Sequence, residues 1–149
     1  MSEVSAPVVG MLGLGIMGSA MAPNLMAAGF TVVGFDVSAE RQAAFAASGG
    51  WVATSPREVA DAADIVISVL PSAQALHEVI HGSNGLLAAS GSERVLIEAS
   101  TLPLEDKLRA RDTAAPRLTV LDCPLSGTGA QAAVKDLLVY ASGDTDAIA

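Results

Sequence analysis

VVGMLGLGIMGSAMAPNL, residues 8–25, is the stretch whose reading decides the fold. It opens on an apolar run of strand character, passes through a glycine-rich turn and continues into alanines and methionines suited to a helix. Gly13, Gly15 and Gly18 form a GxGxxG between the two elements. In a strand–turn–helix unit the first glycine permits the tight turn, and the second leaves room for a pyrophosphate to approach the backbone. The third lets helix and strand pack closely, with the free N–H groups of the helix N-terminus facing the phosphate charge. The motif gains weight when an acidic residue closes a second strand about 20 residues later. TVVGFD supplies one, with Asp36 lying 23 positions after Gly13 and 18 after Gly18. Leu14, Ile16 and Met17 complete the turn and are expected at the pyrophosphate through their backbone.

Asp36 is suited to accept hydrogen bonds from the adenosine ribose hydroxyls, and its charge would repel a 2′-phosphate. NAD is therefore the expected cofactor, with NADP the less favoured one. Arg41, one helical turn further on, is the residue that would rescue NADP binding. The plain structural role for Asp36 is a carboxylate favoured at a helix N-terminus by the macrodipole.

Outward from this unit, strands and helices alternate. Strands are expected at Pro7–Leu12, Thr31–Asp36, Trp51–Ala53, Asp64–Leu70, Arg94–Ala99, Leu118–Asp122 and Leu137–Ala141. DIVISVL, residues 64–70, is nearly all apolar, as expected of a strand covered on both faces of a parallel sheet. Helices are expected over Ile16–Ala28, ended by Gly29, from Ser38 to Ala47, at Pro56, over Ala73–His81 and over Leu104–Thr113, with one turn near Leu86. The alternation implies βαβ units: an α/β chain of Rossmann type, with a doubly wound, mainly parallel sheet.

At 149 residues the chain is the size of one domain. With 51% hydrophobic and 16% charged residues it has the material for a filled core and is not disordered. A net charge of -8 without a Lys/Arg cluster argues against nucleic acid or an anionic membrane as partner. The single cysteine, Cys123, leaves no internal disulfide and fits a reducing, cytoplasmic setting. No charged residue occurs between Glu3 and Asp36, yet the run has no basic leader and is broken by glycines, Pro23 and Asn24. A buried strand and a largely covered helix explain it better than a leader or a membrane span.

In a parallel sheet the residues following each strand lie along one edge, where such sheets bind ligands. That edge collects GLGIMG at 13–18, Asp36, Leu70-Pro71-Ser72, Ser100-Thr101 and Pro124-Leu125-Ser126-Gly127-Thr128. These residues are mostly small, hydroxylated, acidic or proline, which suits close approach of a ligand to the backbone.

The block MLGLGIMGSAMAPNL, with VLPS at 69–72, EAST at 98–101 and DCPLSG at 122–127, resembles the cofactor domain of the β-hydroxyacid dehydrogenase family, from Val8 to Gly143. That family includes 3-hydroxyisobutyrate dehydrogenase, tartronate semialdehyde reductase and 6-phosphogluconate dehydrogenase. The resemblance implies hydride transfer between a small β-hydroxyacid and the nicotinamide. It places Val69, Leu70 and Pro71 alongside the cofactor, Ser100 and Thr101 near the nicotinamide, and Ser126 and Gly127, with Thr128 next to them, at the substrate carboxylate. It further implies a catalytic lysine on a helix beyond Ala149, a second, all-helical domain and a homo-oligomer in the full-length protein. On this reading residues 1–149 form the dinucleotide-binding domain, cut before the inter-domain helix that Asp144 or Thr145 would cap, and carry no catalytic residue. Two departures from the family pattern fall on the substrate side: Thr128 stands where a second glycine is usual, and Lys135 lies near a position commonly held by glycine.

The remaining reactive side chains have plainer readings. Lys135 reads as a solvated turn lysine, not a replacement base. His77 and His81, spaced i and i+4, lack a third ligand, so no metal site is expected. Cys123 reads as a small buried side chain without a histidine partner. Met11, Met17, Met21 and Met26 read as filling around the first helix. Two alternatives stand beside the dehydrogenase: an imine or β-ketoacid reductase with another proton donor, and a nucleotide-binding module without catalysis. A lysine about one helix beyond Ala149 would favour the first reading, an acid or tyrosine there the second, and an apolar residue the third.

Overall fold

Successive residues of a strand face opposite sides of its sheet, and in this chain both sides are apolar. The computed structural model of the chain describes residues 5–91 and 93–149; Glu3 lies outside them. β1 (Val8–Leu12) leads through the glycine turn into α1 (Ile16–Ala27), followed by β2 (Thr31–Phe35), α2 (Ala39–Ala47) and the short β3 (Trp51–Val52). α3 (Pro56–Ala62), β4 (Ile65–Ser68), α4 (Ala73–His81), a 3-10 turn at Leu86–Ala88, β5 (Arg94–Glu98), α5 (Leu104–Ala114) and β6 (Leu118–Asp122) complete the main layers.

Six strands pair in the order β3-β2-β1-β4-β5-β6, each contact parallel. Met11 and Val32 pack with Leu14, Ala22 and Phe45 under α1 and α2. Their neighbours Leu12 and Val33 pack on the other face with Val59, Leu76, Ile80 and Ala110 from α3, α4 and α5. Met11 and Leu12 are wholly buried, and each such side chain contributes about 1.5–3 kcal/mol. Helix starts follow local chemistry: Ser38, Ser55 and Ser72 accept the N–H groups of Arg41, Glu58 and Ala75 in the first turns of α2, α3 and α4. The chain leaves β1 in one direction and returns through β4 on its other side, so a crevice opens where α1 and α4 diverge.

The expected last strand at Leu137–Ala141 does not join this sheet. β8 is only Leu138–Val139 and pairs antiparallel with β7 (Leu125–Ser126). Between them lies α6 (Gly129–Ala133), which the sequence reading did not anticipate. Gly127 at φ 147° and Lys135 at φ 62° turn the chain back on either side of α6, so the strand returns onto residues just after β6. Its tie to the large sheet is the Asp122–Ser142 bridge, with both N–H···O distances 2.9 Å. A further helical turn, α7 (Thr145–Ile148), starts with the Asp144 carboxylate accepting the Ala147 N–H at 2.9 Å.

Candidate functional site: a dinucleotide cleft at the strand ends

The three glycines of the turn are required for three different reasons. Gly13 has φ 92°, and a Cβ there would run into the carbonyl oxygen of Val69. At Gly18 a Cβ would strike the carbonyl oxygen of Gly13, so helix and turn approach too closely for any side chain. Gly15 is different: the nearest atom to its Cβ position is Arg41 Nη1, 3.6 Å away. Nothing in the protein backbone demands glycine there. The space it leaves faces the cleft, and it is a cradle that a side chain would fill. The first bond of α1 runs from the Ser19 N–H to the Gly15 carbonyl at 2.9 Å, so the amides of Ile16, Met17 and Gly18 precede the helical ladder and are available to an anion.

Asp36 closes this turn. One carboxylate oxygen accepts the Leu14 N–H at 2.8 Å, and the other accepts the Ser38 N–H at 2.8 Å. The side chain is 6% exposed and lies 3.7 Å from Arg41 Nη1. Both oxygens keep lone pairs beyond these bonds. Leu14 itself is buried in the core under α1, so it serves the site through its N–H and not its side chain.

A cleft of about 760 Å³ opens over this turn, within the range of ligand pockets. Gly13, Gly15, Ile16, Met17, Gly18, Asp36, Val69, Leu70 and Pro71 line it. Ser72, the cap of α4, lines it too, and it continues further than the sequence indicated, along Gln74, Ala75 and Glu78 of α4 to Asn84. The strand order explains the extension, since α4 begins on the far side of the crevice from α1.

Ser100 and Thr101 do not line the cleft. Ser100 is buried, and its hydroxyl accepts the Leu70 N–H at 2.7 Å; Thr101 is exposed. Ser126, Gly127 and Thr128 are exposed on the β7–α6 strap. The Thr128 hydroxyl accepts the Gln131 N–H at 3.2 Å, and the Gln131 side chain accepts the Thr128 N–H at 2.8 Å, a reciprocal cap of α6. The strap is fastened to α1, where Asn24 Nδ2 donates to the Ala132 carbonyl at 2.9 Å and Gly129 lies against Ile16. Two residues missed by the sequence reading, Asn24 and Gln131, thus hold the strap beside the glycine turn.

His77 and His81 face a smaller groove of about 280 Å³ between α4 and α5, with ring centroids 5.0 Å apart. Burial and the neighbouring His77 hold His81 below the usual histidine range. Among the described residues no group of three His, Cys, Asp or Glu side chains could hold a metal. Burial pushes the Cys123 thiol up, which leaves it protonated and poor as a nucleophile. Lys107, 5% exposed, pairs with Asp122 at 2.7 Å and ties α5 to the end of β6.

A parallel sheet with this order, a phosphate cradle at the start of its first helix and a carboxylate closing its second strand define a dinucleotide-binding domain of Rossmann type. The chain belongs to the family described as the NAD binding domain of 6-phosphogluconate dehydrogenase, whose pattern matches residues 8–149. It is 37% identical over 146 residues to the mitochondrial 3-hydroxyisobutyrate dehydrogenase of Mus musculus, an alignment covering 97% of this chain and 43% of that one. The structure resembles that of a Mycobacterium tuberculosis 3-hydroxyisobutyrate dehydrogenase described with L-serine. The TM-score is 0.88 at 31% identity, with 96% of this chain and 48% of the other covered. An imine reductase from Streptomyces aurantiacus is similar at TM-score 0.83 and 27% identity, with 94% of this chain and 48% of the other covered. The chain therefore spans about half the length of the relatives it matches. No helix among the described residues is long and apolar enough to cross a membrane.

Proposed function

We propose that this chain is the NAD-holding part of an oxidoreductase that moves a hydride between a nicotinamide and a small β-hydroxyacid. The observation that carries the reading is the Gly15 cradle: a Cβ position at the head of α1 that no backbone atom crowds, facing the cleft, with Asp36 and Arg41 at its margin. The amides of Ile16, Met17 and Gly18 would hold the pyrophosphate, and the free lone pairs of Asp36 the adenosine ribose. Leu14 would act through its bond to Asp36, and Val69, Leu70 and Pro71 would form the wall along which the dinucleotide lies. A bound nicotinamide supplies or accepts the hydride; these residues bind and orient it.

Thr101 would act toward the nicotinamide end, Ser100 through its bond to the Leu70 N–H, and Ser126, Gly127 and Thr128 toward the substrate carboxylate. Among the residues lining the cleft there is no lysine or histidine. Such chemistry also needs a proton carrier for the substrate hydroxyl. The likeness to an imine reductase supports a second reading, reduction of a C=N bond on the same cofactor site. A cytoplasmic setting and a homo-oligomeric full-length protein belong to the same proposal, the first supported by the single, unpaired Cys123.

Titration of the chain with NADH and NADPH, followed by nicotinamide fluorescence, tests the cofactor reading. NADH is expected to bind more tightly. Tighter NADPH binding would overturn the role given to Asp36 and shift it to Arg41, and no binding of either would overturn the cleft assignment.

A further inference from the structure

We propose that Glu98 is a positioning residue for the cleft: from a fully buried site it holds Ser100 against the Leu70 N–H and so fixes the wall that Val69, Leu70 and Pro71 present. The inference rests on the reading of the cleft as a dinucleotide site.

Ser68 at the end of β4 stands beside Glu98 at the end of β5. One more main-chain rung follows, from the Ala99 N–H to the Ser68 carbonyl at 2.8 Å. In a regular parallel ladder the next β4 donor facing β5 would find a carbonyl oxygen. Here the Leu70 N–H finds Ser100 Oγ instead, at 2.7 Å. A hydroxyl on a rotatable bond sets a direction only if its residue is held.

Glu98 does the holding. Its Oε1 accepts the Ser100 N–H at 2.8 Å, and its Oε2 accepts the Ser68 hydroxyl. One oxygen serves the turn after β5 and the other serves β4. On the opposite side the Val69 N–H bonds the Leu12 carbonyl at 2.9 Å, and the Val69 carbonyl abuts Gly13. The exit of β4 is thereby clamped between the glycine turn and the Glu98–Ser100 pair.

The choice of a carboxylate is informative. Glu98 and Ser68 have no exposed surface, and among the described residues no cation pairs with Glu98. An unpaired buried carboxylate is costly unless its oxygens are hydrogen-bonded. An apolar residue would fill the space without that cost, but it would leave the Ser68 hydroxyl and the Ser100 N–H without acceptors. Glu98 does not line the cleft, so its effect on a ligand passes through Ser100 and Leu70.

The test compares the unsubstituted chain with Ser100→Ala, Glu98→Leu and Glu98→Gln. Each is titrated with NADH and with AMP, and amide exchange at Leu70 is followed in the free protein. AMP needs the adenosine end at Asp36, whereas NADH also needs the Leu70 wall. Ser100→Ala and Glu98→Leu are expected to weaken NADH about tenfold, as for one lost hydrogen bond, to leave AMP nearly unchanged and to speed Leu70 exchange. Glu98→Gln still offers an oxygen to the Ser100 N–H and is expected to restore NADH affinity. If Glu98→Leu does not fold, Ser100→Ala carries the comparison. Unchanged NADH affinity with Leu70 still protected, or NADH and AMP weakened together, would overturn the proposal. If the unsubstituted chain binds no NADH, the dinucleotide reading falls. Leu70 exchange in Ser100→Ala and Glu98→Leu then decides whether the clamp exists.

Discussion

The two ends of the ligand-facing edge are built in opposite ways. Around β1, β2 and β4 the cleft is made of main chain: a left-handed glycine, the unladdered amides of α1 and the Leu14 N–H drawn onto Asp36. Beyond β6 the chain leaves the sheet as an exposed strap. There Thr128 and Gln131 cap α6, and Lys135 is held at positive φ. The first end is rigid because closing the turn and completing the sheet are one act. The second is fastened from outside, by Asn24 reaching across to the Ala132 carbonyl.

Substitutions can break that contrast. The largest effect is expected for Gly18→Val, where a side chain would collide with the Gly13 carbonyl. It should cost more than about 2 kcal/mol of stability, seen as a lower denaturant midpoint, and abolish NADH binding with it. Gly15→Val should separate the two properties. Its Cβ would meet only the Arg41 side chain, at ordinary contact distance, so stability should stay within about 0.5 kcal/mol. NADH affinity should fall about 100-fold or more, about 2.7 kcal/mol. An unchanged affinity would show that the pyrophosphate does not sit on this turn.

Asp36→Ala comes next. It leaves the Leu14 and Ser38 N–H groups without acceptors, a loss of about 1–3 kcal/mol by denaturation, and should erase discrimination between NADH and NADPH in paired titrations. Asn24→Ala should loosen the strap by about 1 kcal/mol. It should quicken exchange in α6 while NADH binding stays the same, because the cleft does not depend on the strap. The smallest effect is expected for Lys135→Gly. It relieves a left-handed conformation costing about 1–2 kcal/mol, partly offset by the greater freedom of glycine in the unfolded chain. A net gain of about 0.5 kcal/mol in thermal or denaturant unfolding is the expected outcome.

The same contrast governs what the sequence could reveal. The glycine spacing, Asp36 and the apolar strands were legible because each is set by local chemistry: positive φ, close approach, and burial on both faces. LLVYA does form a strand, over Leu138–Val139, but its partner is β7 and not the large sheet, because Gly127 and Lys135 turn the chain. Thr128 and Gln131 form a capping pattern that could have revealed α6. Gln74, Ala75 and Glu78 were out of reach for another reason: their place in the cleft follows from β4 lying next to β1, a fact of strand order. Ser100 was expected to face a ligand, but its hydroxyl turns inward, a direction that no spacing encodes.

The cradle at Gly15 has a consequence for the conditions under which the domain can work. An anion site made from peptide N–H groups does not titrate in the pH range where proteins stay folded and needs no basic side chain that acetylation could neutralise. Its hold on a pyrophosphate should therefore be level across the pH range in which the fold persists, unlike a site that depends on histidine.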